Sequence, residues 1–191
     1  MTSPVESYAD YDAPLSAASC IRVHFFSYGL CLSMPPVTAL LHTENDALRL
    51  GRALETLRPC DEIIIVDHGS RDATVRIARE YGAHVFAFKA EASPGHYLQS
   101  ARCDWILCLD PRESLTEGLE ATLLEWKSVA DISNQSFSVF LREETPDGWL
   151  ENPTPQTRMV PRSWTAWQGA LPKHDPSAVA LEGELLRFIL P

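Results

Sequence analysis

The 191-residue sequence is 45% hydrophobic and 22% charged, with a formal net charge of −10 and an isoelectric point near 5.0. That apolar content suffices for one domain with a buried core, and the acidity excludes a broad nucleic-acid surface, which needs a basic patch. An anionic nucleotide remains within reach, because local backbone amides and one or two basic side chains can hold it.

The five cysteines form no CxxC pair, and Cys108 sits inside an apolar run where a buried thiol is ordinary. A disulfide framework is not expected, which favours a reducing, cytosolic setting. No run approaches the ~20 apolar residues that span a bilayer. Residues 1–18 lack the basic start and long apolar centre of a signal peptide. Peripheral association at the inner membrane face stays compatible with this reading.

Residues 1–36 carry Pro4, Pro14, Pro35 and Pro36 with no amphipathic period, and read as a flexible extension. Regular patterning begins just after Met34, which makes that methionine a candidate start. Residues 37–191 read as a single domain, which the patterning divides into a more regular part, 37–130, and a less regular one, 131–191.

Val37 to Leu41 has strand length and ends in the polar run His42-Thr43-Glu44-Asn45-Asp46. Leu48, Leu50, Ala53, Leu54 and Leu57 then follow helical spacing until Pro59. Glu62 to Val66 is β-branched and continuous, as a parallel strand buried on both faces should be. Asp67-His68-Gly69-Ser70 makes a turn. Asp72 and Thr74 open a helix with Val75, Ile77, Ala78 and Tyr81 on its apolar face, and Gly82 suits its C-terminal cap. Ala83 to Phe88 and Trp105 to Leu109 read as further strands, and Leu115 to Trp126 as a helix. This alternation requires right-handed crossovers and a mostly parallel sheet. Beyond Ser136 the pattern shortens: Ser136 to Arg142 alternates, and Thr157 to Val160 has strand character.

In open α/β sheets ligands settle beyond the carboxyl ends of the strands. Three such ends are polar here: His42 to Asp46, Asp67 to Ser70, and Asp110 to Glu113. Their carboxylates admit two readings. They can accept from a base or ribose or bind a divalent cation, or they can cap the next helix. Capping is preferred for Asp72 and Thr74.

Taken together, these blocks resemble the family 2 glycosyltransferases. Thr43-Glu44-Asn45-Asp46 is similar to the turn after that family's first strand. Asp61 to Ala83 (DEIIIVDHGSRDATVRIAREYGA) resembles its strand–Asp–x–Gly–Ser–x–Asp–x–Thr–helix signature, and Asp104 to Glu113 (DWILCLDPRE) the strand entering its Asp-x-Asp motif. The resemblance implies a GT-A type α/β fold, with a Rossmann-like, mostly parallel sheet flanked by helices and a compressed, mixed C-terminal region. It implies a nucleotide-diphospho-sugar donor, with a UDP-sugar first in line, and a saccharide or lipid-linked acceptor, with 37–130 as the nucleotide-binding half and 131–191 as the acceptor-side half. By position, Thr43 and Asp46 would lie near the nucleoside, Asp67 in the Asp67-x-Gly69 turn would accept from base or ribose, and Asp110 would face ribose or metal. A magnesium or manganese ion, held by Asp110 and Glu113, would bridge the phosphates.

Departures from the family pattern fall on the chemistry. Asp-x-Asp reads Asp110-Pro111-Arg112, and a cation beside Asp110 repels a divalent ion. Arg112 can instead meet the diphosphate with its planar fork. The segment before the fourth strand is short, leaving Arg102 either a pyrophosphate contact or a surface residue. Arg158-Met159-Val160-Pro161-Arg162 resembles the family's Arg-Leu-Phe-Arg strand, but Pro172-Lys173 stands where a His-Glu pair is usual. An inverting transfer needs a carboxylate base, for which Asp175 is the nearest substitute; an exposed polar loop is the plainer reading of His174-Asp175. Trp149, Trp164 and Trp167 suit either a sugar platform or core completion. Two functions follow: a transferase acting on a nucleotide-sugar, or a non-catalytic relative that binds a nucleotide or a partner.

Overall fold

The computed structural model describes residues 34–128 and 136–189. The expectations for residues 1–33 lie outside the described residues. Along the chain run β1 (Val37–Thr43), α1 (Ala47–Glu55), β2 (Glu62–Asp67), α2 (Thr74–Glu80), β3 (His84–Ala87), α3 (Pro94–Leu98), β4 (Trp105–Leu109), β5 (Glu113–Leu115) and α4 (Glu117–Trp126). There follow β6 (Phe137–Thr145), β7 (Gly148–Trp149), β8 (Thr154–Pro161), β9 (Trp167–Gln168), β10 (Leu171–Pro172) and β11 (Val179–Arg187).

One sheet takes the order β3-β2-β1-β4-β8-β6-β11-β5, with β7 paired to β6. Its first four strands are parallel, in the doubly wound order that places β1 between β2 and β4. The C-terminal part is mixed: β8 runs antiparallel to β4 and β6, β11 is parallel to β6, and β5 is antiparallel to β11. The apolar runs of β1, β2 and β4 are buried on both faces for the reason their composition gives. On one face Leu41, Ile65, Leu107 and Leu185 meet Leu50 and Leu54 of α1, Ala78 of α2, and Leu119 and Leu123 of α4. On the other, Leu40, Ile64, Ile106 and Val160 are covered by Tyr97 and Leu98 of α3 and by Trp164, Trp167 and Leu171 around the β9–β10 hairpin. Each fully buried aliphatic side chain contributes about 1.5–3 kcal/mol to holding these layers together.

Three local expectations change. Leu115 ends a strand rather than opening α4, because Thr116 is the cap: its side chain accepts from the Leu119 amide. Leu48 is 78% exposed, since α1 turns Leu50, Ala53 and Leu54 to the sheet and Leu48 falls on its outer side. Tyr81 is also exposed, with its hydroxyl donating to Glu55 at 3.2 Å. Gly82, by contrast, has the positive φ of a helix-terminating residue, 74°.

Candidate functional site

A cleft of about 750 Å³ opens at the carboxyl ends of β1 and β4 and continues past the ends of β6 and β11. Its first wall is built by two loops laced together. Asn45, in the left-handed region at φ 56°, receives the Arg71 amide on its side-chain oxygen at 2.9 Å, while its own amide donates to Ser70 Oγ at 2.9 Å. The Asp46 amide donates to Thr74 Oγ1 at 2.8 Å. Asp72 accepts from the Thr74 amide at 2.9 Å and from the first amide of α1, at Ala47, at 3.1 Å. Asp72 therefore holds the first amides of both α1 and α2, as the capping reading expects of it, whereas Thr74, itself the first residue of α2, braces the loop before α1 with its hydroxyl. The outcome is a fixed rim presenting His42, Thr43, Glu44, Asp46 and Arg49 to the cleft.

Asp67 stands just behind that rim. Its Oδ2 accepts the Gly69 and Ser70 amides at 3.1 and 3.0 Å, and Thr43 Oγ1 approaches its Oδ1 at 3.4 Å. Gly69, at φ 89°, makes the turn possible. Neither Asp67 nor Gly69 lines the cleft, whereas His68 does.

The floor is the tight turn after β4. Arg112 closes on Asp110 in a fork: Nε reaches Oδ1 at 2.9 Å, Nη2 reaches Oδ2 at 2.9 Å, and the Arg112 amide also donates to Oδ1 at 2.9 Å. Burial alone would raise the Asp110 carboxyl, but the Arg112 bonds outweigh it and hold the group below the usual carboxylate range, with a smaller pull from Arg187. The same turn directs Glu113 inward. Glu113 is fully buried; its Oε1 accepts from Arg158 at 2.7 Å and from Arg187 at 2.7 Å, and its Oε2 from the Asp110 amide at 3.0 Å. Arg187 continues the chain of charges to Glu143 at 2.6 Å, and both Arg187 and Glu143 face the cleft.

Asp110 and Glu113, the two residues expected to hold a metal, are both engaged elsewhere in this arrangement. Both oxygens of Asp110 are occupied by Arg112, and Glu113 is turned into the core between two guanidinium groups. Among the described residues no group of three His, Cys, Asp or Glu side chains is placed to hold a metal ion. The residues present do not fit a divalent cation.

Asp175 also lies apart from the cleft lining. Its Oδ2 accepts from Ser136 Oγ at 2.6 Å, its Oδ1 from the Ser177 amide and hydroxyl at 2.9 and 2.6 Å, and its amide donates to Thr157 Oγ1 at 2.8 Å. It stabilises the entry to β6, whereas the β6 residues lining the cleft are at the strand's far end, roughly 20 Å away at ~3.3 Å per residue. Besides Asp110, the carboxylates that line the cleft are Glu44 and Asp46 on the first rim and Glu143 and Glu144 at the end of β6. Arg102 is equally remote: it pairs with Glu62 at 3.0 Å, at the amino ends of β2 and β4. Trp164 and Trp167 pack against the core, while Trp149 stays 40% exposed and meets the Phe188 ring edge-on.

Two cleft residues escape a reading of the motifs. His42 Nδ1 lies 3.0 Å from His68 Nε2, and His68 stacks on Phe88 with centroids 3.8 Å apart. His42 Nε2 is buried with no hydrogen-bond partner among the described residues, and so is Arg49 Nε. Burial, aided by the neighbouring His68, pushes the His42 imidazole down to about 4. Unfolded, an imidazole titrates near 6.5, so the folded chain binds fewer protons in between. Stability is then intact above about pH 6.5 and falls as the pH drops towards 4, by on the order of 2–3 kcal/mol. Urea titrations from pH 7.5 to 4.5 should show this loss in the parent and a flatter profile in His42→Gln. Parallel profiles would remove the buried neutral imidazole from the account.

Residues 40–166 match the family described as Glycosyl transferase family 2, and the chain belongs to that family. An uncharacterized glycosyltransferase from Rickettsia felis is 35% identical over 91 residues, covering 46% of this chain and 32% of the relative. A TPR repeat-containing protein from Synechococcus elongatus is 36% identical over 121 residues, covering 61% of this chain and 29% of the relative. The chain thus spans about a third of the length of the curated relatives it matches. Among solved structures, the glucosyl-3-phosphoglycerate synthase of Mycobacterium tuberculosis, in complex with Mn2+, UDP and glucosyl-3-phosphoglycerate, is similar with a TM-score of 0.45 and 15% identity, over 65% of this chain and 52% of that one. No described helix is long and apolar enough to cross a membrane.

Proposed function

We propose that the chain binds a nucleotide-diphospho-sugar, a UDP-sugar foremost, in the cleft at the carboxyl ends of β1 and β4, and hands the sugar to a saccharide or lipid-linked acceptor. The observation that carries this is the convergence of Thr43, Asp46, Asp110 and Arg112 on one cleft at the position where a doubly wound sheet receives its ligand. Membership of the family supplies the reaction class. In this reading Thr43 and Asp46 lie beside the nucleoside, and Asp67 positions their loop by fixing the turn through Gly69. Asp110 faces the ribose, and Arg112 faces the diphosphate. The acceptor enters past Leu150, Ala170 and Ile189, where Glu143 and Glu144 are the carboxylates at hand for its hydroxyl.

A second reading, a relative that binds a nucleotide or partner without transfer, is favoured by one observation: Glu113 and Asp175 are both engaged in structural bonds. Release of UDP from a set of UDP-sugars, with and without simple saccharide acceptors, separates the two. Transfer predicts release that rises with an acceptor. Binding of the donor with no release in any combination leaves the second reading standing.

A further inference from the structure

The misfit between this cleft and a divalent cation calls for another source of positive charge, since a diphosphate leaving group must be neutralised in a partly desolvated site. Three guanidinium groups line the cleft: Arg49, Arg112 and Arg187. Arg187 is spent on Glu113 and Glu143. The other two keep donors in hand. Arg112 uses Nε and one hydrogen of Nη2 on Asp110, and its Nη1 donates to no acceptor among the described residues. Arg49 makes no side-chain hydrogen bond there at all: its nearest carboxylate oxygen, on Asp46, is 3.6 Å from Nη1, and its Nε is buried without a partner.

An unpaired buried donor on a charged group is expensive to maintain. A second penalty is that Arg49 sits in the first turn of α1, where the helix dipole repels a cation and only the N-cap carboxylate of Asp46, 3.6 Å from Nη1, offsets it. Both penalties disappear if an anion occupies the cleft. Asp46 sits between the two arginines: it is the neighbour of Arg49, and it also helps to hold the Arg112 guanidinium charged.

We propose that Arg49 and Arg112 take the place of the divalent cation, gripping the diphosphate of the nucleotide from two sides so that binding needs no metal. This inference rests on the reading of the cleft as a nucleotide-diphosphate site. The two positive charges match those of the ion they replace, and the guanidinium forks offer directional donors to the phosphate oxygens.

Calorimetric titration of the full chain with UDP, in EDTA and in excess manganese, tests this, with uridine as the probe that lacks phosphates. UDP affinity should agree within about twofold between the two conditions. Arg49→Gln and Arg112→Gln should each weaken UDP about tenfold, the loss of one charge-assisted contact, while uridine affinity stays within about twofold. The Arg49 side chain is a third exposed and makes no side-chain hydrogen bond among the described residues, so its variant keeps the test valid if Arg112→Gln fails to fold. A tenfold or larger gain on adding manganese, or unchanged UDP affinity in Arg49→Gln, overturns the arginine assignment while leaving the cleft a nucleotide site. Absence of UDP binding in both conditions overturns both.

Discussion

Replacing Gly183 by alanine should destabilise the fold by roughly 3–5 kcal/mol, the largest effect expected among the described glycines. Gly183 has φ 91°, in the region where a side chain brings strain of about 1–3 kcal/mol. A Cβ there would lie 2.5 Å from the Leu119 amide nitrogen and 2.7 Å from its Cα. Those are backbone atoms of α4, and Leu119 is fully buried, so neither side can yield cheaply; overpacking of this kind adds about 1–3 kcal/mol. The close approach has a purpose. The register of β11 against β6 shifts between Ala180 and Glu184, which brings the Glu184 carbonyl to the Thr116 amide at 3.1 Å and hydroxyl at 3.0 Å, tying the start of α4 to the strand. Chemical denaturation of Gly183→Ala beside Gly82→Ala checks the argument. Gly82 has φ 74° but no atom within 4 Å of its would-be Cβ, so it should lose only the strain. Equal losses in the two variants would remove the contact with α4 from the explanation.

Glu113→Gln should lower stability by about 3–5 kcal/mol, because it leaves the buried Arg158 guanidinium facing a neutral amide. Arg158 is 2% exposed and Glu113 is 0% exposed, and the carboxylate also serves Arg187. Arg158 already has one buried nitrogen, Nε, without a partner among the described residues, so it has no alternative to fall back on. The double variant Glu113→Gln/Arg158→Met should recover part of the loss, since the stranded charge is then gone. Urea denaturation of the single and double variants reads both effects. A single-variant loss below about 1 kcal/mol would show that water reaches this pair.

What was legible in the sequence follows from where the local signal is strong. Glu62 to Val66 and Trp105 to Leu109 announce themselves because a strand covered on both faces must be continuously apolar, and both are seen at those positions. β11 does not: six of the nine residues of VALEGELLR are Ala, Leu or Glu, good helix formers, and its partners β6 and β5 make it a strand. The charged groups illustrate the same limit. Nothing in DPRES says that the turn at Pro111-Arg112 rotates Glu113 away from solvent; its placement depends on Arg158 and Arg187, which arrive 45 and 74 residues later. Asp175 reads as a free loop carboxylate until Ser136 and Thr157 are beside it. Arg49 carried a signal that a motif search passes over: a cation in the first turn of a helix opposes the dipole and asks for a reason.

The central claim is that the cleft between the ends of β1 and β4 receives a nucleotide diphosphate. Amide hydrogen exchange of the full chain, with and without saturating UDP, locates the ligand directly. The account predicts slowed exchange in the segments covering 42–49 and 110–113, with the amino ends of β2 and β4 unchanged. Protection confined to the opposite end of the sheet or to 89–96, or no protection anywhere, would contradict it.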